Sequence, residues 1–149
     1  MTETGFELRR AARVLVIDEE GRVLLFRGGD PSRPEAGTWW FTPGGGIEGD
    51  ESPADAARRE LREETGLVVD ALDGPVHEQD IEFGFGGVVY RQHEHFFVLR
   101  TASFTVARDG WTALEHDIMV ESRWWSPDEL GAPAEPVYPA DLVELLRAL

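Results

Sequence analysis

The sequence predicts an α/β fold, a mixed β-sheet with about two helices packed on it. Three features carry this expectation. Short β-rich runs recur on both sides of a central segment, that segment opens and closes with strong helix signals, and the chain ends in a leucine-rich stretch with one apolar face. At 149 residues the chain fits a single domain, residues 1–149, because cores of this size are the commonest kind.

Arg13 to Asp18 and Arg22 to Arg27, RVLVID and RVLLFR, read as two strands joined at Glu19-Glu20-Gly21, a hairpin signal with a glycine turn. Gly28 to Gly37, GGDPSRPEAG, is dense in turn formers and reads as a surface loop of the kind that covers a ligand. Trp39 to Phe41 then re-enters the core as a short strand stopped by Pro43. Ser52 is a favoured N-cap, Pro53 suits the first helical position and Asp55 adds an anion to the first turn. Gly66 can take the left-handed conformation that ends helices, so the helix is predicted over Pro53 to Thr65. Leu67 to Val69 reads as an exit strand. Ile81, Phe83 and Phe85 alternate with Glu82 and Gly84, and Val88 to Leu99 continues as a β-rich run after Gly86-Gly87, which predicts two further strands. A last strand is expected at Ser122 to Trp125, followed by a short turn at Pro127 to Leu130 and an amphipathic helix over Pro139 to Leu149.

Hydrophobic residues at 42% and charged residues at 29% lie within ordinary globular usage. The net charge of -15 argues against a partner held by its phosphate backbone, which needs clusters of Lys and Arg, so long nucleic acid is disfavoured. Phosphates bound here would draw positive charge from metal ions. The chain has no cysteine, which removes disulfides, thiolate zinc sites and thiol nucleophiles and fits a reducing cytoplasm. MTETGFELRR lacks the apolar stretch of a signal peptide, and runs such as Val14 to Ile17 are too short to span a bilayer, so no membrane partner is expected.

The predicted helix carries the chemistry. On a wheel turning about 100° per residue, Glu64 falls near +40° and Glu63 near −60° from Glu60, so the three carboxylates share an arc of roughly 100°. Leu61, Ala57 and Ala54 cluster on the adjoining arc, which can bury against the sheet. A solvated surface would intersperse its charges, whereas Glu60 and Glu64 repel one another at a cost of about 0.2–0.5 kcal/mol. A bound divalent cation reverses the sign of that term. Carboxylate oxygens with no Cys and no nearby His favour Mg²⁺ or Mn²⁺ over zinc. Gly44, Gly45 and Gly46 precede the helix as a side-chain-free loop that lets backbone groups approach a metal or an anion.

As a unit, the segment matches the Nudix box, Gly-x5-Glu-x7-Arg-Glu-apolar-x-Glu-Glu-x-Gly-apolar, at Gly45, Glu51, Arg59, Glu60, Leu61, Glu63, Glu64, Gly66 and Leu67. At background frequencies of about one in fifteen, a chance match to the fixed positions is on the order of 10⁻⁸ per starting point. The preceding strand pair, the Pro43-Gly44-Gly45 entry and the stretch Trp124 to Leu130 also resemble Nudix proteins. The resemblance implies a Nudix-like α/β/α sandwich and a hydrolase that uses Mg²⁺ or Mn²⁺ to cleave a small nucleoside diphosphate linked to another group. It implies Glu60 and Glu64 as the principal metal ligands, the Gly45 carbonyl as a backbone ligand, and Glu63 as a further ligand or a helper in activating water. Arg59 and Glu51 resemble a pair that holds the loop against the helix and orients the carboxylates. For the general base, Glu63, Glu94, Glu115 and Glu121 are the candidates.

Other residues carry weaker expectations. His93 and His95 share one face of a strand, chiefly as a half-buried pair, with a metal pair or a phosphate contact as alternatives. Trp39, Phe83, Phe85 and Trp111 are core candidates that could stack on a base, and Arg27 and Arg33 border or lie in the Gly/Pro loop where phosphate could come. Substrate-binding residues and the identity of the linked group are unknown from the sequence, and a homodimer is left open. The alternative reading is a non-hydrolytic nucleotide-binding or sensing module, which usually lacks box carboxylates that are intact here. An isomerase of isopentenyl diphosphate shares the fold but relies on a cysteine.

Overall fold

The computed structural model describes residues 6–149. Its central strand β1 (Phe6–Ile17) pairs in parallel along its whole length with β6 (Val88–Arg100), from Phe6 opposite Val89 to Ile17 opposite Arg100. Outside β6 lies β5 (Asp73–Phe85), antiparallel to it. On the other side the order runs through β2 (Val23–Gly29) and β3 (Thr38–Phe41) to β8 (Val137–Tyr138). Two short partners complete the sheet: β4 (Gly44–Gly46) on β1 and β7 (Met119–Trp125) on β2. The β1–β6 and β3–β8 pairs are parallel and the others antiparallel, so the sheet is mixed.

Alternation along β1 sorts its apolar side chains onto two faces. Ala12, Val14 and Val16 meet Ala56, Ala57 and Leu61 of α1 (Pro53–Thr65). Leu15 and Ile17 face the opposite way, into a core with Leu130 of α3 (Pro127–Leu130) and Leu142 of α4 (Leu142–Arg147). Both faces are therefore covered by helix, which explains why RVLVID reads as a near-continuous apolar run rather than an alternating one.

Several sequence expectations need correction. The strands of the predicted hairpin separate at once, with only Ile17 opposite Val23 in register. The edge of β1 beyond that point is taken by the glycine segment: Val14 N–H donates to Pro43 O at 2.9 Å and Ile47 N–H to Arg10 O at 2.9 Å. Gly44–Gly46 is thus a strand rather than a loop. Leu67 to Val69 forms no strand, because Leu67 and Val69 pack under the α1 core while Val68 is left exposed. Gly28 and Gly29 belong to β2, and within the predicted loop Pro34–Ala36 makes one 3₁₀ turn. β5, β7 and β1 start earlier than predicted, the last helix is shorter at Leu142–Arg147, and β8 was not anticipated. The helix α2 (Ala113–Ile118) was also missed. Among the described residues no helix is long and apolar enough to cross a membrane.

Candidate active site

Helix α1 begins where its capping chemistry directs. The Ser52 hydroxyl accepts from Asp55 N–H at 3.1 Å, and Gly66 closes the helix at φ 83° with its N–H on Arg62 O. The buried face comprises Ala56, Ala57, Glu60, Leu61, Glu64 and Thr65, so two carboxylates go into the protein with the apolar residues. The β4 segment receives them. Gly44 N–H donates to Glu64 Oε1 at 2.7 Å, and a Cβ on Gly45 would lie 2.5 Å from Glu60 Oε1. Glycine at 45 leaves room for the Glu60 carboxylate.

Arg59 ties the entry loop to the helix. Its Nε and Nη2 donate to the two Glu51 oxygens at 2.7 and 2.9 Å, a bidentate pair, and Nη2 also reaches Gly46 O at 3.0 Å. Nη1 donates to Glu60 Oε1 at 3.0 Å and Glu63 Oε2 at 3.3 Å. One guanidinium therefore fixes two box carboxylates relative to the loop. The Arg59 hydrogen bonds, aided by Glu48 N–H, hold the Glu51 carboxyl down at about 2. Arg59 itself is raised by the same partner.

Burial drives Glu60 upward despite Arg59, and burial with the neighbouring Glu60 charge drives Glu64 well above the usual carboxylate range. Two buried carboxylates thus compete for protons where a cation could replace them. A third joins them from a distant part of the chain: oxygens of Glu60, Glu64 and Glu115 all lie within 4.8 Å of one another. This cluster of hard oxygen donors fits a divalent cation. Glu63, by contrast, stays with Arg59 and is not in that group.

The route that brings in Glu115 runs along the end of α1. Ala107 N–H donates to Thr65 O at 3.0 Å, and Trp111 Nε1–H donates to Glu64 O at 2.7 Å. Gly110 permits this approach, since a Cβ there would sit 2.7 Å from Glu63 O. α2 then starts at Thr112 with a capping box, in which Thr112 and Glu115 exchange side-chain to backbone hydrogen bonds at 3.1 and 2.9 Å. The Thr-x-x-Glu spacing at 112–115 is a helix-start signal present in the sequence, yet nothing local says that this helix faces α1.

The remaining candidates sit elsewhere. Glu94 is buried and accepts from Arg13 Nε at 3.2 Å, Gln92 Nε2 at 2.8 Å and Gln79 Nε2 at 2.9 Å. Glu121 is half-exposed and paired with Arg27 at 2.9 Å, while Arg33 reaches Glu35 at 3.4 Å, so both loop arginines meet acids. Trp111 packs edge-on against Phe26 at 5.8 Å in a small core with Met119. Phe83 stacks on Tyr90 at 5.4 Å, and Arg9 lies over the Tyr90 ring at 5.6 Å. Trp39 is half-buried opposite Gly28, and Phe85 is half-buried opposite Val88. Beside the box, Leu8, Arg9, Arg10, Gly46, Ile47 and Gly49 line a cleft of about 420 Å³.

The NUDIX domain profile matches residues 7–147. An RNA pyrophosphohydrolase from Acidiphilium cryptum (strain JF-5) is 31% identical over 143 residues, covering 89% of this chain and 84% of that protein. A stretch of 54 residues is 54% identical to part of an octanoyltransferase from Myxococcus xanthus, of which the chain covers only 14%. Among solved structures, a MutT protein from Methanosarcina mazei Go1 superimposes with a TM-score of 0.67 at 23% identity, over 96% of this chain and 93% of that one.

Proposed function

This chain belongs to the NUDIX domain family, hydrolases of pyrophosphate bonds, and from that premise we propose that it is a divalent-metal-dependent pyrophosphohydrolase cleaving a small nucleoside-diphosphate-linked substrate by water attack at phosphorus. The observation that carries this reading is the meeting of Glu60, Glu64 and Glu115 within 4.8 Å. Glu60 and Glu64 are buried and Glu115 partly so, and carboxylates packed this closely are stabilised by a multivalent cation and destabilised without one. Glu60 and Glu64 would hold Mg²⁺ or Mn²⁺, with the Gly45 carbonyl as a backbone ligand. The chemistry such an ion supplies is Lewis-acid neutralisation of charge on the pyrophosphate and a lowered pKa for the attacking water.

The chain's own residues do the positioning. Arg59 orients Glu60 and Glu63, and Glu51 anchors Arg59, so loss of either disturbs geometry before chemistry. Proximity favours Glu115 over Glu94 and Glu121 as the group that takes the proton from water, because those two are engaged with Arg13 and Arg27. Glu63, on the same helix as Glu60 and Glu64 but paired with Arg59 at 3.3 Å, is the second candidate.

The test is a hydrolysis panel of nucleoside triphosphates, nucleotide sugars, dinucleoside polyphosphates and a triphosphate-ended oligoribonucleotide, run with Mg²⁺ or Mn²⁺. The oligoribonucleotide enters because of the RNA pyrophosphohydrolase relative, while the net charge of -15 favours the small molecules. Glu64→Gln should lower turnover by about 100-fold or more, some 2.7 kcal/mol of transition-state stabilisation. Turnover within a few-fold of wild type, or no release from any substrate by the wild type, refutes the assignment.

A further inference from the structure

A second group of ligating side chains lies on the outer strands, apart from the acidic cluster. In the β5–β6 ladder Glu78 stands opposite His95 and Asp80 opposite His93. Residues two apart and directly opposite share one face of a sheet, so all four side chains project together. We propose that Glu78, His93 and His95 form a second metal site, for a borderline divalent ion of the Zn²⁺ class.

Geometry supports this. The ligating atoms of the three residues lie within 4.8 Å of one another. Glu78 Oε1 is 2.8 Å from His93 Nε2 and 3.4 Å from His95 Nδ1. Bonds of about 2.0 Å at tetrahedral angles place neighbouring donors about 3.3 Å apart, so the second distance already matches and the first needs to open by about half an ångström. The outer nitrogen of His93, Nδ1, lies 2.8 Å from Asp80 Oδ1. A carboxylate on the far nitrogen fixes the tautomer that leaves Nε2 as a lone-pair donor, the usual support of a metal-bound imidazole.

His95 gives an independent reason. Its side chain is 12% exposed, and its Nε2 is buried with no hydrogen-bond partner. Its Nδ1 faces Glu78 at 3.4 Å, longer than a good hydrogen bond. Neither neutral tautomer gives the ring a good partner at Nδ1, and a cation between Nδ1 and the Glu78 oxygen would supply one there, with the proton kept on the buried Nε2. Arg10, opposite His93 on β1, is the opposing charge, against the two carboxylates of Glu78 and Asp80. The site is open on one side, since Glu78 and His93 are 49% and 38% exposed, which admits an ion and leaves a position for water.

Donor type separates the two sites. Two imidazoles and a carboxylate suit zinc and its neighbours, whereas the all-oxygen cluster of Glu60, Glu64 and Glu115 suits Mg²⁺. The ordinary competitor is an ion pair in which a protonated His93 sits between Glu78 and Asp80 with no metal.

The full chain, saturated with Mg²⁺, would be titrated with Co²⁺ followed by Zn²⁺. The expected result is one tightly held ion with the visible absorption of tetrahedral Co²⁺, displaced by Zn²⁺, insensitive to excess Mg²⁺ and retained in Glu64→Gln. His93→Asn, His95→Asn and Glu78→Gln should abolish that absorption, Asp80→Asn should weaken binding by about 10- to 100-fold, and Zn²⁺ should raise the melting temperature of wild type and Glu64→Gln but not of the three ligand variants. Circular dichroism checks that each variant folds, and Glu78→Gln, on the more exposed ligand, is the one least able to disturb the core. Wild-type absorption persisting in folded Glu78→Gln or His93→Asn, its loss in Glu64→Gln, or no Co²⁺ binding at all would overturn the proposal and leave the His93 ion pair.

Discussion

Replacing Gly45 by alanine tests the acidic cluster with a single methyl group. Gly45 is not among the glycines with positive φ, so alanine can adopt its backbone conformation. The added Cβ would lie 2.5 Å from Glu60 Oε1, 2.7 Å from its Cδ and 3.0 Å from Oε2. To reach ordinary contact at 3.4 Å the nearer oxygen must retreat by about 0.9 Å. It does so at the end of a flexible side chain, so the fold should lose only about 1 kcal/mol. The carboxylate itself is held by Arg59 Nη1 at 3.0 Å in a largely buried site, and the same displacement moves the proposed metal ligand away from the ion it would hold. A misplacement near 1 Å costs about 100-fold in rate, so kcat/KM with Mn²⁺ should fall by about that factor and calorimetric Mn²⁺ affinity should fall with it. Gly84→Ala, where the nearest atom to a Cβ is 3.9 Å away, is the control and should leave both unchanged. Retention of kcat/KM within about threefold and of wild-type Mn²⁺ affinity in Gly45→Ala would refute the role given to Glu60.

Two pH-dependent stabilities follow in separate windows. The Glu51 carboxyl falls from an ordinary 4.5 to about 2; a depressed group stabilises above its unfolded pKa and loses that contribution as pH falls through the folded one. The full difference is roughly 3 kcal/mol, and with the Glu51 side chain 22% exposed screening reduces it to about 1–2 kcal/mol. Urea unfolding should show Glu51→Gln less stable than wild type by that amount at neutral pH, with the gap closing near pH 2; a gap that stays constant across the range contradicts the ion-pair account. Glu64 has the opposite sign: its raised pKa stabilises below the ordinary value and the contribution is lost as pH rises through the folded one. With chelator present, melting temperature should therefore climb on acidification from neutrality toward pH 5, Glu64→Gln should lack that slope and melt higher than wild type near pH 7, and added Mg²⁺ should raise wild type alone. Parallel pH profiles for the two proteins would show that Glu64 is not the group responsible.

Local chemistry determined much of this protein. The ends of α1 follow from Ser52, Pro53 and Gly66, and its acidic edge follows from the spacing of Glu60, Glu63 and Glu64, because capping and helical periodicity act within a few residues. The box, and with it the family, was legible for the same reason: its members lie on one continuous segment. Tertiary structure decided what depends on contacts between distant segments. The β1 and β2 strands part because Pro43 to Ile47 takes the edge of β1, and Leu67 to Val69 stays irregular because its apolar side chains serve the α1 core rather than a ladder. Glu115 was one of four candidate bases in the sequence. It became distinct only when Gly110 let the chain pass close to Glu63 O and Trp111 bonded to Glu64 O, carrying α2 to the open side of two buried carboxylates. Glu78 likewise meets His93 and His95 only through the register of the β5–β6 ladder, which side-chain alternation within either strand does not specify.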